Sequence, residues 1–189
     1  LAKHNLDFLQ TIKLDRLVQA AISDGEPEGF PKPIKIAILS ASTVDHLLPG
    51  VRVGLLRRGM TARIHVTDYG QYHQELANPE SDLHRFAPDV VLFAFDAGHL
   101  VGRPSKVSTD PELDVSRAVK GVRSLWKMAL ENFRCQVIQQ SVVQTFLPLM
   151  GNNEQRLPGS PNAMVRRVNE ELARLADEDQ IELLALDQY

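Results

Sequence analysis

Apolar positions along this chain switch between two rhythms. Ile34, Ile36, Ala37, Ile38 and Leu39 form a nearly unbroken run, the pattern of a strand buried on both faces. Small residues follow, Ser40, Ala41, Ser42 and Thr43, and then Val44, Leu47, Leu48, Val51 and Leu55 recur at helical spacing over 44–58. A hydrophobic strand that opens into a helix through small hydroxyl residues is the first βα turn of a doubly wound sheet. Ligands in such sheets bind beyond the carboxyl ends of the strands. The stretch Ser40 to Thr43 is therefore expected to wall any site.

The same two rhythms continue on either side. Leu6, Leu9, Leu14, Leu17, Val18, Ala21 and Ile22 predict an amphipathic helix over 5–23, with Asn5 as N-cap and Asp7 in the first turn. Gly25 to Pro33, with two glycines and three prolines, reads as a linker, so this helix is an added layer outside the βα repeat. Arg57, Arg58 and Gly59 mark a helix stop. Ile64 and Val66 alternate with Arg63 and His65, which predicts an edge strand over 62–67. Asp68 to Tyr72 reads as the next loop. Residues 89–95 form a third strand, buried on both sides, which exits through Asp96, Ala97, Gly98 and His99. A loop over 101–111, a long helix over 112–132, a strand over 136–140, a polar loop over 141–161, a helix over 161–178 and a strand over 181–186 complete the order.

Helix followed by β-α-β-α-β-α-β-α-β predicts an α/β fold, a three-layer α/β/α sandwich with a parallel five-stranded sheet. Its expected strand order is the flavodoxin-like 2-1-3-4-5. Residues 1–33 are read as the accessory helix and linker, and 34–189 as the domain. The chain opens on Leu1 without a methionine and stops at Tyr189 after a strand-like run, so both ends are expected to be cuts in a longer polypeptide.

Composition narrows the function classes. The chain has 189 residues, 43% of them hydrophobic and 24% charged, with a net charge of −3, which argues against nucleic-acid and membrane-surface partners. No apolar run reaches the ~18 residues that span a bilayer. The single cysteine, Cys135, rules out an internal disulfide and fits a reducing, cytoplasmic setting. Its aliphatic neighbours predict a buried structural thiol.

Every predicted strand exit carries small or polar residues, so the loops should converge on one rim. Ser42 is the candidate nucleophile, because a helix N-terminus favours a developing negative charge; a simple N-cap role suits it equally. His46 falls one turn along the same helix. Asp96 and His99 form an acid–histidine pair that could activate a serine. Gly70 either lets a ligand approach the backbone or supplies a positive φ. Asn152 and Asn153 either donate to an oxyanion or cap their loop. Arg156, Arg166 and Arg167 are candidate anion binders or solvated cations. No G-x-G-x-x-G or G-x-x-x-x-G-K-[ST] follows the first strand, so no nucleotide cofactor is expected. His65 and His73 fall on different elements, and no metal is expected.

These stretches together resemble a known family. N-L-D-F-L-Q-T-I-K-L-D-R (5–16), S-T-V-D-H-L-L-P-G-V-R (42–52), D-Y-G-Q-Y-H-Q-E-L (68–76), F-A-P-D-V-V-L-F-A-F-D (86–96), C-Q-V-I-Q-Q (135–140) and G-N-N-E-Q-R-L-P-G-S-P (151–161) are similar to the N-terminal domain of FkbH-like proteins. Those proteins form the HAD-superfamily subfamily IIIC group linked to polyketide extender-unit supply. The resemblance implies an SGNH-hydrolase-like fold, commonly followed by a separate HAD catalytic domain. In glyceryl-transferring members that HAD domain dephosphorylates bisphosphoglycerate and loads the glyceryl group onto an acyl-carrier protein. Against the SGNH blocks, Ser40-Ala41-Ser42 takes the place of G-D-S, with Ser42 at the serine position and Ser40 beside it. Gly70 is nearest the second-block glycine. The third block falls near Asp96 to His99 without its asparagine, and the final D-x-x-H is expected just beyond Tyr189. Two readings follow. In the first, Ser42 attacks an ester or thioester of a small acyl substrate, with Asp96 and His99 standing in for the missing pair and Ser42's amide, Gly70, Asn152 or Asn153 binding the oxyanion. In the second, the fold is catalytically degenerate and docks an acyl-carrier protein or supports the HAD domain. A plain small-ligand binder using the same rim is the third.

Overall fold

Five parallel strands carry the fold: β1 (Ile34–Ser40), β2 (Ala62–Val66), β3 (Val90–Ala94), β4 (Gln136–Gln140) and β5 (Glu182–Leu184). They are hydrogen-bonded in the order β2-β1-β3-β4-β5 that the apolar pattern predicts. The computed structural model describes residues 5–23, 32–102 and 107–188. In the register, Ile38 lies opposite both Val66 and Leu92, and Ser40 lies opposite Ala94. Because every pairing is parallel, all five carboxyl ends open on one rim.

Successive side chains of a strand point to opposite faces, so the sheet has two cores. The larger joins Leu39, Phe93, Phe95 and Val137 to Trp126, Ala129, Leu172 and Leu175. The last four are supplied by the helices α6 (Pro111–Phe133) and α7 (Pro161–Asp179). The smaller joins Ile38, Val44 and Ala94 to Leu48 of α2 (Leu48–Leu56). α1 (Phe8–Ser23) packs on α2, and the carboxylate of Asp15 grips the Arg52 guanidinium bidentately, both contacts at 2.7 Å.

Several boundaries differ from the sequence reading. Asp7, not Asn5, starts α1: its carboxylate accepts the Gln10 N–H at 2.7 Å while the Gln10 side chain accepts the Asp7 N–H at 3.0 Å, a capping box. The helix expected over 44–58 is a 3-10 turn, Asp45–Leu47, followed by α2. Between β2 and β3 the chain forms two short helices, α3 (Tyr72–Ala77) and α4 (Asp82–Phe86), and β3 exits directly into α5 (Ala97–Val101). β2 and β5 are the sheet edges, and all three residues of β5 are exposed. Residues 24–31 of the expected linker, 103–106 of the expected loop, Leu1 to His4 and Tyr189 lie outside the described residues.

The loop 141–161 is anchored from within. Glu154, 4% exposed, accepts the backbone N–H groups of Met150 at 3.0 Å and Asn162 at 3.2 Å, which ties the loop to the first turn of α7. Burial alone pushes its carboxyl up, but the amide bonds from Met150, Asn162 and Leu149 win and hold it below the ordinary carboxylate range. Gly159 makes a close approach: a Cβ there would sit 2.2 Å from the Ser108 carbonyl, whose own N–H donates to Gly159 at 2.7 Å. Cys135 is buried, and burial pushes its thiol up, so the structural reading of that cysteine fits its surroundings.

Candidate functional site

The β1 exit is a closed serine turn. The Ser40 side chain, 1% exposed, donates its hydroxyl to the Ser42 carbonyl at 2.7 Å and accepts the Ser42 N–H at 3.0 Å. The two hydroxyl oxygens are 3.5 Å apart. Such a side chain-to-backbone turn is the local alternative that serine offers to regular structure. Ser42 is exposed, but α2 begins six residues later, with Leu47 as its N-cap and no side-chain cap. A helix terminus acts within about one turn, so Ser42 is neither the cap nor the beneficiary of α2. His46 lies in the 3-10 turn and faces the groove between α1 and α2, with Phe8, Asp15 and Arg16.

At the β3 exit Asp96 is the N-cap of α5, its carboxylate accepting the His99 N–H at 2.8 Å. The acid therefore holds the backbone of His99 rather than its ring. The imidazole Nε2 instead meets the Tyr72 hydroxyl at 2.7 Å. Tyr72 and His99 both lean on Phe95, at ring separations of 4.9 and 5.1 Å. Burial lowers the His99 pKa, with Asp96 pulling it the other way, and burial raises that of Tyr72, so both groups are neutral near pH 7. Among the described residues, neither Asp96 nor His99 hydrogen-bonds to Ser42. Tyr72 is a residue that the sequence reading missed; its signal was only its place two residues after Gly70.

The remaining candidates are scattered around the rim. Gly70 is exposed at φ 73°, in a turn closed by the Gln71 N–H to the Asp68 carbonyl at 3.0 Å. The Thr67 hydroxyl, three residues earlier, is buried and has no hydrogen-bond partner among the described residues. Asn152 and Asn153 are exposed on the 3-10 turn Gly151–Arg156, and among the described residues the hydrogen bonds of Ser42 that involve a side chain are with Ser40. Arg166 is paired with Glu170 at 2.7 Å and Arg167 with Glu112. His65 is held by Glu75 at 3.0 Å, while His73 is exposed. Among the described residues, no group of three or more His, Cys, Asp or Glu side chains is placed to hold a metal ion, and no helix is long and apolar enough to cross a membrane.

An acid also stands at the β5 exit. Asp187 accepts the Ser141 hydroxyl at 2.5 Å, and the same oxygen of Ser141 accepts the Asp187 N–H at 3.1 Å. The signal available in the sequence was an aspartate directly after the last apolar run.

A family model described as FkbH, N-terminal domain, matches residues 35–187. No curated protein sequence matches the chain significantly. Among solved structures, the N-terminal part of a Bacteroides fragilis protein containing a phosphatase domain complexed with Mg superimposes with a TM-score of 0.73 at 16% identity, over 97% of this chain and 46% of that one. The chain thus spans less than half of that structure. A lipase/acylhydrolase from Enterococcus faecalis gives 0.53 at 14% identity, over 82% and 77%. An acetyl xylan esterase gives 0.51 at 19% identity, over 82% and 78%. At such identities the likeness is one of fold: the sheet and its crossovers are those of SGNH/GDSL hydrolases.

Proposed function

With the chain belonging to the FkbH N-terminal domain family, we propose that it is the non-catalytic SGNH-fold module of an FkbH-like protein. In this reading 34–189 is the module and α1 with its linker an added layer. The module docks an acyl-carrier protein in the cytosol while a companion HAD domain performs the chemistry of polyketide extender-unit supply. One observation carries the reading. The Ser42 amide, which would have to receive an oxyanion, already donates to Ser40 at 3.0 Å. An oxyanion hole works only with donors held free for the transition state. Two further groups are engaged in the same way: the Asp96 carboxylate on a helix cap and the His99 ring on Tyr72. The Bacteroides fragilis structure, with its phosphatase domain, supports a parent protein of more than one domain. Titration with an acyl-carrier protein tests the docking role: saturable association with a dissociation constant on the order of 10–100 µM is expected for a transient interface. No association at roughly 1 mM would overturn it.

A second reading is favoured by the exposure of Ser42 on the rim of an esterase-type fold. There Ser42 attacks an ester or thioester, Gly70 and Asn152 or Asn153 bind the oxyanion, Asp96 and His99 supply acid and base after rearranging, or Asp187 supplies the acid. Hydrolysis of a short acyl ester that Ser42→Ala abolishes would establish it.

A further inference from the structure

Beside the β3 exit, between α3, α5 and α6, lies a cavity of about 310 Å³. Its floor is apolar, formed by Phe95, Val122 and Leu125. At its mouth stand Tyr72 and His99, joined at 2.7 Å, and at its edge stands Arg117. That is the composition of a small-molecule site, in which an apolar body is buried and a few converging polar groups fix the head. The volume is at the small end of ligand pockets, so the ligand is small.

The polar groups select the head. When Nε2 of His99 carries the proton and donates to the phenolic oxygen, the Tyr72 O–H is free to donate to a ligand oxygen. Arg117 has one partner among the described residues, Asp114 at 3.3 Å, in a pair whose side chains are 70% and 44% exposed. A pair that exposed holds its members weakly, so the guanidinium can turn toward an anion in the cavity mouth. A phenolic donor and a cation above an apolar floor match a carboxylate with a hydrocarbon tail.

We propose that this cavity binds a small monocarboxylate, its tail on the Phe95–Val122–Leu125 floor and its carboxylate between the Tyr72 hydroxyl and Arg117. The site does not use Ser42, and it stands or falls independently of carrier docking.

The probes are acetate, butyrate, hexanoate and neutral hexanol, titrated into the protein and followed by the amide resonances of Tyr72, His99 and Gly121. Saturable shifts are expected with hexanoate, with a dissociation constant on the order of 1 mM. Affinity should rise from acetate to hexanoate, and hexanol should bind at least about tenfold more weakly for want of the charge-assisted bonds. Gly121 lines the cavity from within α6, and a Cβ there meets nothing within 4 Å. Gly121→Leu should fill the space, keep the fold and abolish hexanoate binding, while Tyr72→Phe should weaken it about tenfold. Non-saturating shifts in the unaltered protein, hexanol binding as well as hexanoate, or a folded Gly121→Leu protein with undiminished affinity would each overturn the proposal.

Discussion

The Ser40 hydroxyl lies 2.7 Å from the carbonyl and 3.0 Å from the amide nitrogen of Ser42, so one side chain satisfies both backbone groups of the residue two places on. Ser40 is 1% exposed at the end of β1, opposite Ala94. It therefore fixes the shape of the β1 exit. Ser40→Ala removes both bonds, and a loss of about 1–2 kcal/mol is expected. For a chain of this length that lowers the melting temperature by roughly 2–8 °C. Calorimetry on the two proteins checks this; an unchanged melting temperature would show that the turn holds itself.

Asp15 and Arg52 tie α1 to the rest of the molecule. The Asp15 side chain is 6% exposed and that of Arg52 20%. Removing one partner leaves the other poorly solvated, so Asp15→Ala and Arg52→Ala should each cost about 2–4 kcal/mol. The double variant should cost clearly less than their sum. Denaturant unfolding of the four proteins gives the coupling energy, and strict additivity would mean that the pair contributes nothing of its own.

Gln139 is fully buried, its amide oxygen accepting the Trp126 indole N–H at 3.0 Å and its amide nitrogen donating to the Gln140 carbonyl at 2.7 Å. Gln139→Leu leaves the indole N–H without a partner in the core, at a cost of about 1–3 kcal/mol. Trp126 is the chain's one tryptophan, so its emission reports the change directly. A blue shift with lowered stability is expected. Adding Trp126→Phe should recover part of the loss, because both polar partners are then gone.

How far the sequence reaches shows in particular elements. β1 and β3 are legible because burial on both faces writes apolar runs, and α6 and α7 because enough turns face the core to show a period. α3, α4 and α5 have five or six residues, each burying a single core side chain (Leu76, Leu83 and Ala97), which is too few for any period to appear. The start of α1 was decided by Gln10, three residues after Asp7, and that pairing outranks a lone asparagine. At the rim, the place of Ser42 was legible and the occupant of its amide was not, since that depends on the Ser40 rotamer. An aspartate three residues before a histidine suits a helix cap as well as a catalytic pair, and here the cap is realised. Tyr72 and His99 are 27 residues apart and meet only because β2 and β3 flank β1 and both exit on the same rim.

His99 supplies a pH dependence. Burial lowers its pKa below 6.5 and outweighs the opposing field of Asp96, so the folded chain takes up this proton later than the unfolded chain does. Stability is therefore full above pH 6.5 and falls as the pH drops toward the lowered value. Glu154, whose carboxyl is held down, adds a separate loss in the carboxylate range, at lower pH. An NMR titration should place the His99 midpoint below 6.5, and His99→Gln should flatten the first part of the slope. A midpoint above 6.5 would contradict the burial argument.

Covalent capture tests directly that the β1 exit is no working nucleophile site. A serine that is activated by a base and served by an oxyanion hole is phosphonylated by a fluorophosphonate ester, and an idle one is not. The protein is incubated with the reagent and its intact mass measured. No adduct above the level found for Ser42→Ala is expected. A stoichiometric adduct on Ser42 would contradict this and make the domain a serine hydrolase.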